Sequence, residues 1–377
     1  MPQNGTLDMT RITQDNLSPT ASYGHIPGLN GLRALSVLIV ILAHMGFEHI
    51  IPGGFGVTVF FFISGMLITR LLLAESELKG KVNLPKFYMR RIIRLYPALL
   101  FMLYLTTCIY IILNFGSPTI MEATAGIGYF TNVFQVISTI NETPSFMPWR
   151  HLWSLSVEEH FYIGFPILVL AFRKNWRALS LTLVGIICAS LLWRCYIAFG
   201  TQLPANEYNY MMTDTRIDSL AWGCLISVLL HSAGSINPFK HLIGARPFII
   251  GLIGIALSFL IRDDSFRYTL RFTVQGAALF VLLLNLYYWR ALSFAFLILD
   301  WKPFAWIGSI SYGLYLWHVP MIDMFSRSFG DNIGIRILAV IASFAIAAFS
   351  FHYVEKPFIV LRQRYGSHVT GGKQQPA

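Results

Sequence analysis

Residues 31–46 read GLRALSVLIVILAHMG, and residues 53–69 read GGFGVTVFFFISGMLIT. Apolar runs of this length, almost free of charge, are candidate membrane helices. They are the first two of ten such segments, which run roughly over 33–47, 54–74, 96–114, 155–172, 178–198, 215–231, 247–261, 268–288, 304–325 and 334–354. Several are shorter than the ~20 residues that a bilayer crossing needs, and these are read as continuing into helical extensions. An eleventh stretch, 120–138, is only weakly apolar and contains Gly, Thr and Asn.

Composition agrees. Of the 377 residues 55% are hydrophobic and only 12% charged; a soluble core of this size cannot hide that much apolar side chain, whereas a bilayer can. Length alone would permit two soluble domains. Many Trp and Tyr residues fall near the ends of apolar runs, where interfacial belts place them. The net charge of +10 comes from basic residues clustered in short loops, and no basic stripe interleaved with aromatics points to nucleic acid. Cys108, Cys188, Cys195 and Cys224 all lie inside apolar runs, so they suggest neither a disulfide framework nor a metal site. Residues 1–28 have no apolar centre and no small-residue cleavage site, so no removable signal peptide is expected.

The loops set the topology. The 75–96 loop carries Lys79, Lys81, Lys86, Arg90, Arg91 and Arg94, and the 173–177 turn carries Arg173, Lys174 and Arg177. Further basic positions are Lys240 with Arg246, Arg290 with Lys302, and a tail with Lys356, Arg362, Arg364 and Lys373. The loops near 48–53, 115–119 and 199–214 contain no Lys or Arg. Because basic loops stay cytoplasmic, the expectation is an all-α polytopic protein of about ten spans with both termini cytoplasmic, provided that 120–138 does not cross. The 262–267 loop falls outside in this scheme although it carries Arg262 and Arg267, which Asp263 and Asp264 offset locally. The expected organisation is a polar tail over 1–28, a transmembrane domain over 29–362 and a polar tail over 363–377, with no linker and no internal repeat.

Ionisable side chains inside spans are costly and therefore candidates for function. Arg33 and His44 are eleven residues apart, so they share a helix face and are separated by about 16 Å along its axis. Arg33 would sit at the cytoplasmic mouth and His44 deep toward the far side; the plain alternative is a snorkelling arginine and a hydrogen-bonded histidine. Arg91 and Arg94 are i, i+3 neighbours in FYMRRIIRLYPAL, where guanidinium forks suit phosphate oxygens; positive-inside anchoring is the bland reading. His151, Glu158, Glu159 and His160 cluster in HLWSLSVEEHFY. His151 and Glu158, seven apart, share a face and suit acid–base work, against which stands N-capping by Ser154 or Ser156 followed by acids. No H-E-x-x-H spacing supports a metal, no G-K-[ST] follows the Gly-rich stretch at 53, and no G-x-S-x-G elbow occurs. Arg216 and Asp218 suit an intramembrane ion pair. Tyr312, Tyr315 and His318 put polar groups on one side of an apolar helix, and Glu355 suits a helix-end role.

In order, GLNGLRALSVLIVILAH, GGFGVTVFFFISGMLIT, FYMRRIIRLYPAL, HLWSLSVEEHFY, RIDSLAWG, ISYGLYLWH and VEKPF resemble the acyltransferase-3 family of membrane acyltransferases over residues 26–362. The resemblance implies O-acylation of surface polysaccharides, lipopolysaccharide or similar glycoconjugates, with acetyl-CoA or another acyl-CoA as donor, no metal, and residence in the bacterial inner membrane. It makes His44 the catalytic histidine, with Arg33 in the same motif, puts Arg91 and Arg94 on the pair associated with the donor, and matches Glu158 and Glu159 to an acidic pair. The further expectation is that Glu158 or His151 assists His44 and that Arg33, Tyr315 and His318 join the donor site. His160 stands where the family commonly has Gln. Some members carry an additional extracytoplasmic domain, and the end of this chain at 377 suggests that it lacks one. Competing readings are a transporter or flippase of lipid-linked sugars, a membrane scaffold, and acylation of a small molecule such as a macrolide.

Overall fold

The computed structural model describes residues 26–362, apart from 81, 144, 147, 173, 174 and 234. Lys81, Arg173 and Lys174 of the basic loops, and the polar tails up to 25 and from 363, lie outside the described residues. Every regular element among the described residues is helical.

The apolar runs quoted first form α1 (Leu29–Leu42), which continues into a π turn over Ala43–Phe47, and α2 (Gly53–Lys79). α3 (Leu84–Ile112) begins at an Asn83 cap whose side chain accepts from the Lys86 amide at 3.0 Å. Next come α4 (Ile120–Ile127) and α5 (Thr131–Ile140), of eight and ten residues, each too short to cross a bilayer. The remaining helices are α6 (Trp153–Phe172), α7 (Trp176–Gly200), α8 (Ala205–Met211), α9 (Thr213–Ala233), α10 (Ala245–Leu260), α11 (Asp264–Tyr268) and α12 (Leu270–Tyr288). They are followed by α13 (Ala295–Leu299), α14 (Lys302–Ser309), α15 (Ser311–Phe329), α16 (Ile333–Phe349), a second π turn over Ser350–Glu355, and α17 (Lys356–Arg362).

Among the described residues seven helices are long and apolar enough to cross a membrane: α1 with its π turn, α2, α3, α6, α7, α12, and α16 continuing into α17. The pair Arg290–Leu299 and Lys302–Ser309, bent by 70°, makes eight if it counts as one span. The sequence expectation of about ten exceeds this count by two or three. α10 has only 16 residues. α9 and α15 dilute their apolar character with Arg216, Asp218, Ser311 and His318, all of which they bury inside the protein.

α9 is the hub, packed against α2, α6, α7 and α12. Its crossing with α2 is close because two glycines face backbone. A Cβ on Gly65 would collide with the Leu220 carbonyl, and one on Gly223 with the Phe62 carbonyl. On its other side, the fully buried Arg194 of α7 donates to the Asp218 carboxylate at 2.7 Å, to the Thr273 hydroxyl at 2.6 Å and to the Thr269 carbonyl at 2.9 Å. The expected partner of Asp218 was Arg216. Residues two apart on a helix do not face each other, and Arg216 instead points to the α2 side, where it donates to the Thr58 hydroxyl at 3.1 Å.

Candidate active site

α1 presents polar side chains at both ends, and each end opens on a separate chamber. Arg33 on α1, Arg91 and Arg94 on α3, Ser64 on α2, and Glu158, Glu159 and Tyr162 on α6 line a tight cavity of about 90 Å³. Tyr162 donates to the Glu158 carboxylate at 2.5 Å, and the Ser64 hydroxyl bonds to both. The Arg91 guanidinium lies over the Tyr162 ring at 4.2 Å, a cation–π contact that holds it toward the cavity. Arg90, Arg194, Arg267, Arg327 and Arg336 are each held in an ion pair, whereas none of the three cavity arginines has one among the described residues. Arg33, Arg91 and Arg94 therefore face this cavity with no carboxylate within 4.0 Å.

The second chamber is larger, about 660 Å³, and is lined by His44, His151, Trp153, Tyr210, Gln275 and Tyr315 among others. His44 lies in the π turn, which closes at Gly46 with a φ of 97°, a conformation that favours glycine. Its Nδ1 is 2.9 Å from the Val40 carbonyl. A carbonyl oxygen only accepts, so Nδ1 carries the proton and Nε2 is bare. The same argument fixes two neighbours. His151 donates from Nε2 to the Leu316 carbonyl at 3.2 Å, and His318 from Nδ1 to the Tyr315 carbonyl at 2.8 Å. Nδ1 of His151 and Nε2 of His318 are buried without a partner. The His318 ring centroid is 5.0 Å from that of His44 and 5.1 Å from that of His151. Three imidazoles thus meet, each with one bare nitrogen.

Tyr315 and Val57 line both chambers and form the wall between them. The Tyr315 hydroxyl donates to the His151 carbonyl at 2.8 Å and lies 2.6 Å from the Ser154 hydroxyl, so the wall is braced from α6.

The structure brings Arg33, Arg91 and Arg94 together, and it brings His44 to His151. It separates Glu158 from them. Expected beside His44, Glu158 lines the arginine chamber instead. The step of seven positions from His151 to Glu158 is two turns, about 10.5 Å, so one shared face serves two sites. His318, expected with the donor arginines, packs on His44, and Tyr315 stands in the dividing wall. His160 bonds through Nδ1 to the Thr213 hydroxyl at 2.7 Å, tying α6 to α9. Glu355 is buried in the second π turn with Oε1 unpartnered. Sequence reasoning missed Ser64, which only the packing of α2 on α6 brings to Glu158, and Tyr162, which stands one turn from Glu158 on α6 at i, i+4. It also missed Arg150, Arg267, Arg271 and Arg336 of the larger chamber; their one signal was basic residues at or near segment ends that the charge rule leaves poor in Lys and Arg. Among the described residues no group of three His, Cys, Asp or Glu is placed to hold a metal ion.

A family described as an acyltransferase domain, the acyltransferase-3 family, matches residues 26–352. The chain is 32% identical over 361 residues to the peptidoglycan O-acetyltransferase OatA of Listeria monocytogenes, which covers 89% of this chain and 56% of that protein. It is 31% identical over 351 residues to the O-acetyltransferase OatA of Staphylococcus aureus, covering 88% of this chain and 57% of that protein. The chain spans a little over half the length of these curated relatives. No solved structure matches it.

Proposed function

The chain belongs to the acyltransferase-3 family, and on that premise we propose that it is an inner-membrane O-acyltransferase moving an acetyl group from cytoplasmic acetyl-CoA, or a related acyl-CoA, to a hydroxyl of a carbohydrate acceptor. The observation that carries this reading is the pair of chambers sharing the wall of Tyr315 and Val57. One offers three arginines without carboxylate partners, and the other a histidine whose bare Nε2 is available to a hydroxyl proton. The peptidoglycan activity of the relatives supports a glycan as acceptor. The topology of this reading has α9, α10 and the α14–α15 stretch crossing as well, which makes ten spans with both termini cytoplasmic and puts the arginine chamber on the donor's side.

Arg33, Arg91 and Arg94 fit the anionic donor, since guanidinium groups bind phosphate oxygens in a bidentate manner. A cavity of about 90 Å³ admits only the narrow part of such a molecule, so its nucleotide stays at the mouth. The donor supplies the acyl group as an activated thioester. Arg33 and His44 are about 16 Å apart along α1, a distance that an extended pantetheine arm covers. Nε2 of His44 takes the proton of the acceptor hydroxyl as the new C–O bond forms; the thioester C–S bond breaks, and the imidazolium returns that proton to the departing CoA sulfur. The bare nitrogens of His151 and His318 flank the imidazolium that results, and the Val40 carbonyl holds its Nδ1–H. Glu158, braced by Tyr162 and Ser64, keeps the guanidinium cluster electrostatically balanced before the donor arrives.

The test is transfer of labelled acetyl from acetyl-CoA to a cell-envelope glycan by purified protein. Wild type transfers and His44→Ala does not. A His44→Ala protein with full transfer would refute the assignment.

A further inference from the structure

The 660 Å³ chamber at His44 holds more positive charge than its topology predicts. Arg150, Arg267, Arg271 and Arg336 line it, against Glu48 and Glu207. In the proposed topology this is the outer side, where basic residues are depleted, so anchoring does not explain them. Arg150 and Arg271 have no carboxylate partner among the described residues. Arg336 is held by Asp331, which accepts from Nε and Nη2 at 2.6 Å each. Its Nη1 is left over and lies against Gly46, where a side chain would collide with it. That places a fixed, half-used guanidinium two residues from His44.

A further positive charge stands behind three aromatic rings of this chamber. Arg216 is fully buried, with Nε and Nη1 unpartnered. It stacks on the Phe272 ring at 3.7 Å and lies within 6 Å of the Trp153 and Tyr210 rings. These three aromatics line the chamber, so the floor offers flat apolar faces over an uncompensated charge. Flat aromatic faces suit the C–H faces of sugar rings, guanidinium forks suit carboxylate or phosphate, and the volume falls within the range of small-ligand sites.

We propose that the chamber binds an anionic acceptor, a sugar carrying a carboxylate or phosphate close to the hydroxyl presented to His44, with Arg150, Arg271 and Arg336 contacting the anion. This rests on the transferase reading and adds the charge class of the acceptor. The source of the anion is either an acidic sugar residue within a glycan or a phosphate-linked sugar.

The experiment measures binding to the full chain in detergent micelles of three probes: tetragalacturonate, maltotetraose 1-phosphate and uncharged maltotetraose. At least one anionic probe is expected to bind about tenfold or more tightly than maltotetraose, with the gap narrowing as salt screens the charges. Which of the two wins identifies the source. Arg150→Gln with Arg271→Gln is expected to erase the preference, and Arg271→Lys, which keeps the charge, to retain most of it. Equal binding of all three probes, no binding of any at millimolar concentration, or an intact preference in the double variant overturns the proposal. Acetyl-CoA binding to wild type in the same preparation tests the transferase reading separately, because its absence defeats that reading whatever the probes do.

Discussion

His44 owes its availability to the turn it occupies. The π turn lifts its ring off the α1 ladder, and the Val40 carbonyl fixes Nδ1 as the donor, so the bare Nε2 is in place before any substrate binds. Removing a general base of this kind costs about 10²–10⁴-fold in rate; His44→Ala is expected to lose transfer by that factor while acetyl-CoA still binds, as isothermal titration would show. Arg91→Lys is expected to weaken acetyl-CoA binding by roughly ten- to a hundredfold, because a point charge replaces a planar fork stacked on Tyr162; unchanged affinity in the same titration would remove Arg91 from the donor site. The placing of Arg33 and His44 along α1 was readable because residues eleven apart stand close to three whole helical turns apart. Glu158 and His318 were not: periodicity gives the face of a helix but not which neighbour covers each turn of it, and the covering helices α2 and α1 decide that here.

At the scale of elements, α9 depends on two kinds of close contact. The Arg194–Asp218 pair is sealed between α7 and α9, and removing one partner strands the other charge. Arg194→Met is expected to destabilise the protein by about 3–5 kcal/mol, and Arg194→Met with Asp218→Leu to recover much of that; equal thermal unfolding of the two variants in detergent would contradict it. The pair was missed because Arg194 sits alone in the apolar run LLWRCYIAF, where one charge reveals nothing of its partner. The weakly apolar 120–138 stretch was expected not to cross because the alternation of basic loops requires it, and the structure shows what shapes the α4–α5 segment. Burial pushes the Glu122 carboxyl up, but hydrogen bonds from the Thr119 and Phe146 amides and the Ser145 and Thr119 hydroxyls more than offset this and hold it below the usual carboxylate range. A lowered carboxylate contributes stability that is present above its unfolded value of about 4.3 and is lost as pH falls through the folded value. Protection from hydrogen exchange across 119–146, taken relative to the intrinsic rate at each pH, is therefore expected to persist at pH 5 and to fall only in stronger acid, whereas Glu122→Gln lowers it at pH 7 as well.

For the whole molecule, composition and loop charge made the membrane class legible, because both are summed over the chain and need no partner assignments. The span count was harder to read. α9 and α15 bury Arg216, Asp218, Ser311 and His318 against protein, where polar side chains are tolerated, and this dilutes their apolar character. Ten crossings predict that, in a chain cleared of its native cysteines, single cysteines at Asn114 and Asp264 react with a membrane-impermeant maleimide in intact cells, while those at Lys86 and Ser235 do not. Reaction at Ser235 would contradict this topology. The central claim is that two chambers on either side of Tyr315 divide the work, arginines holding the donor and His44 serving the acceptor. Release of free CoA thiol from acetyl-CoA by purified protein, read beside acetyl-CoA binding in the same preparations, tests it most directly. The account predicts turnover by wild type that is lost in both His44→Ala and Arg94→Ala, with binding kept in the first and lost in the second. Wild-type turnover by His44→Ala, or undiminished binding by Arg94→Ala, would contradict it.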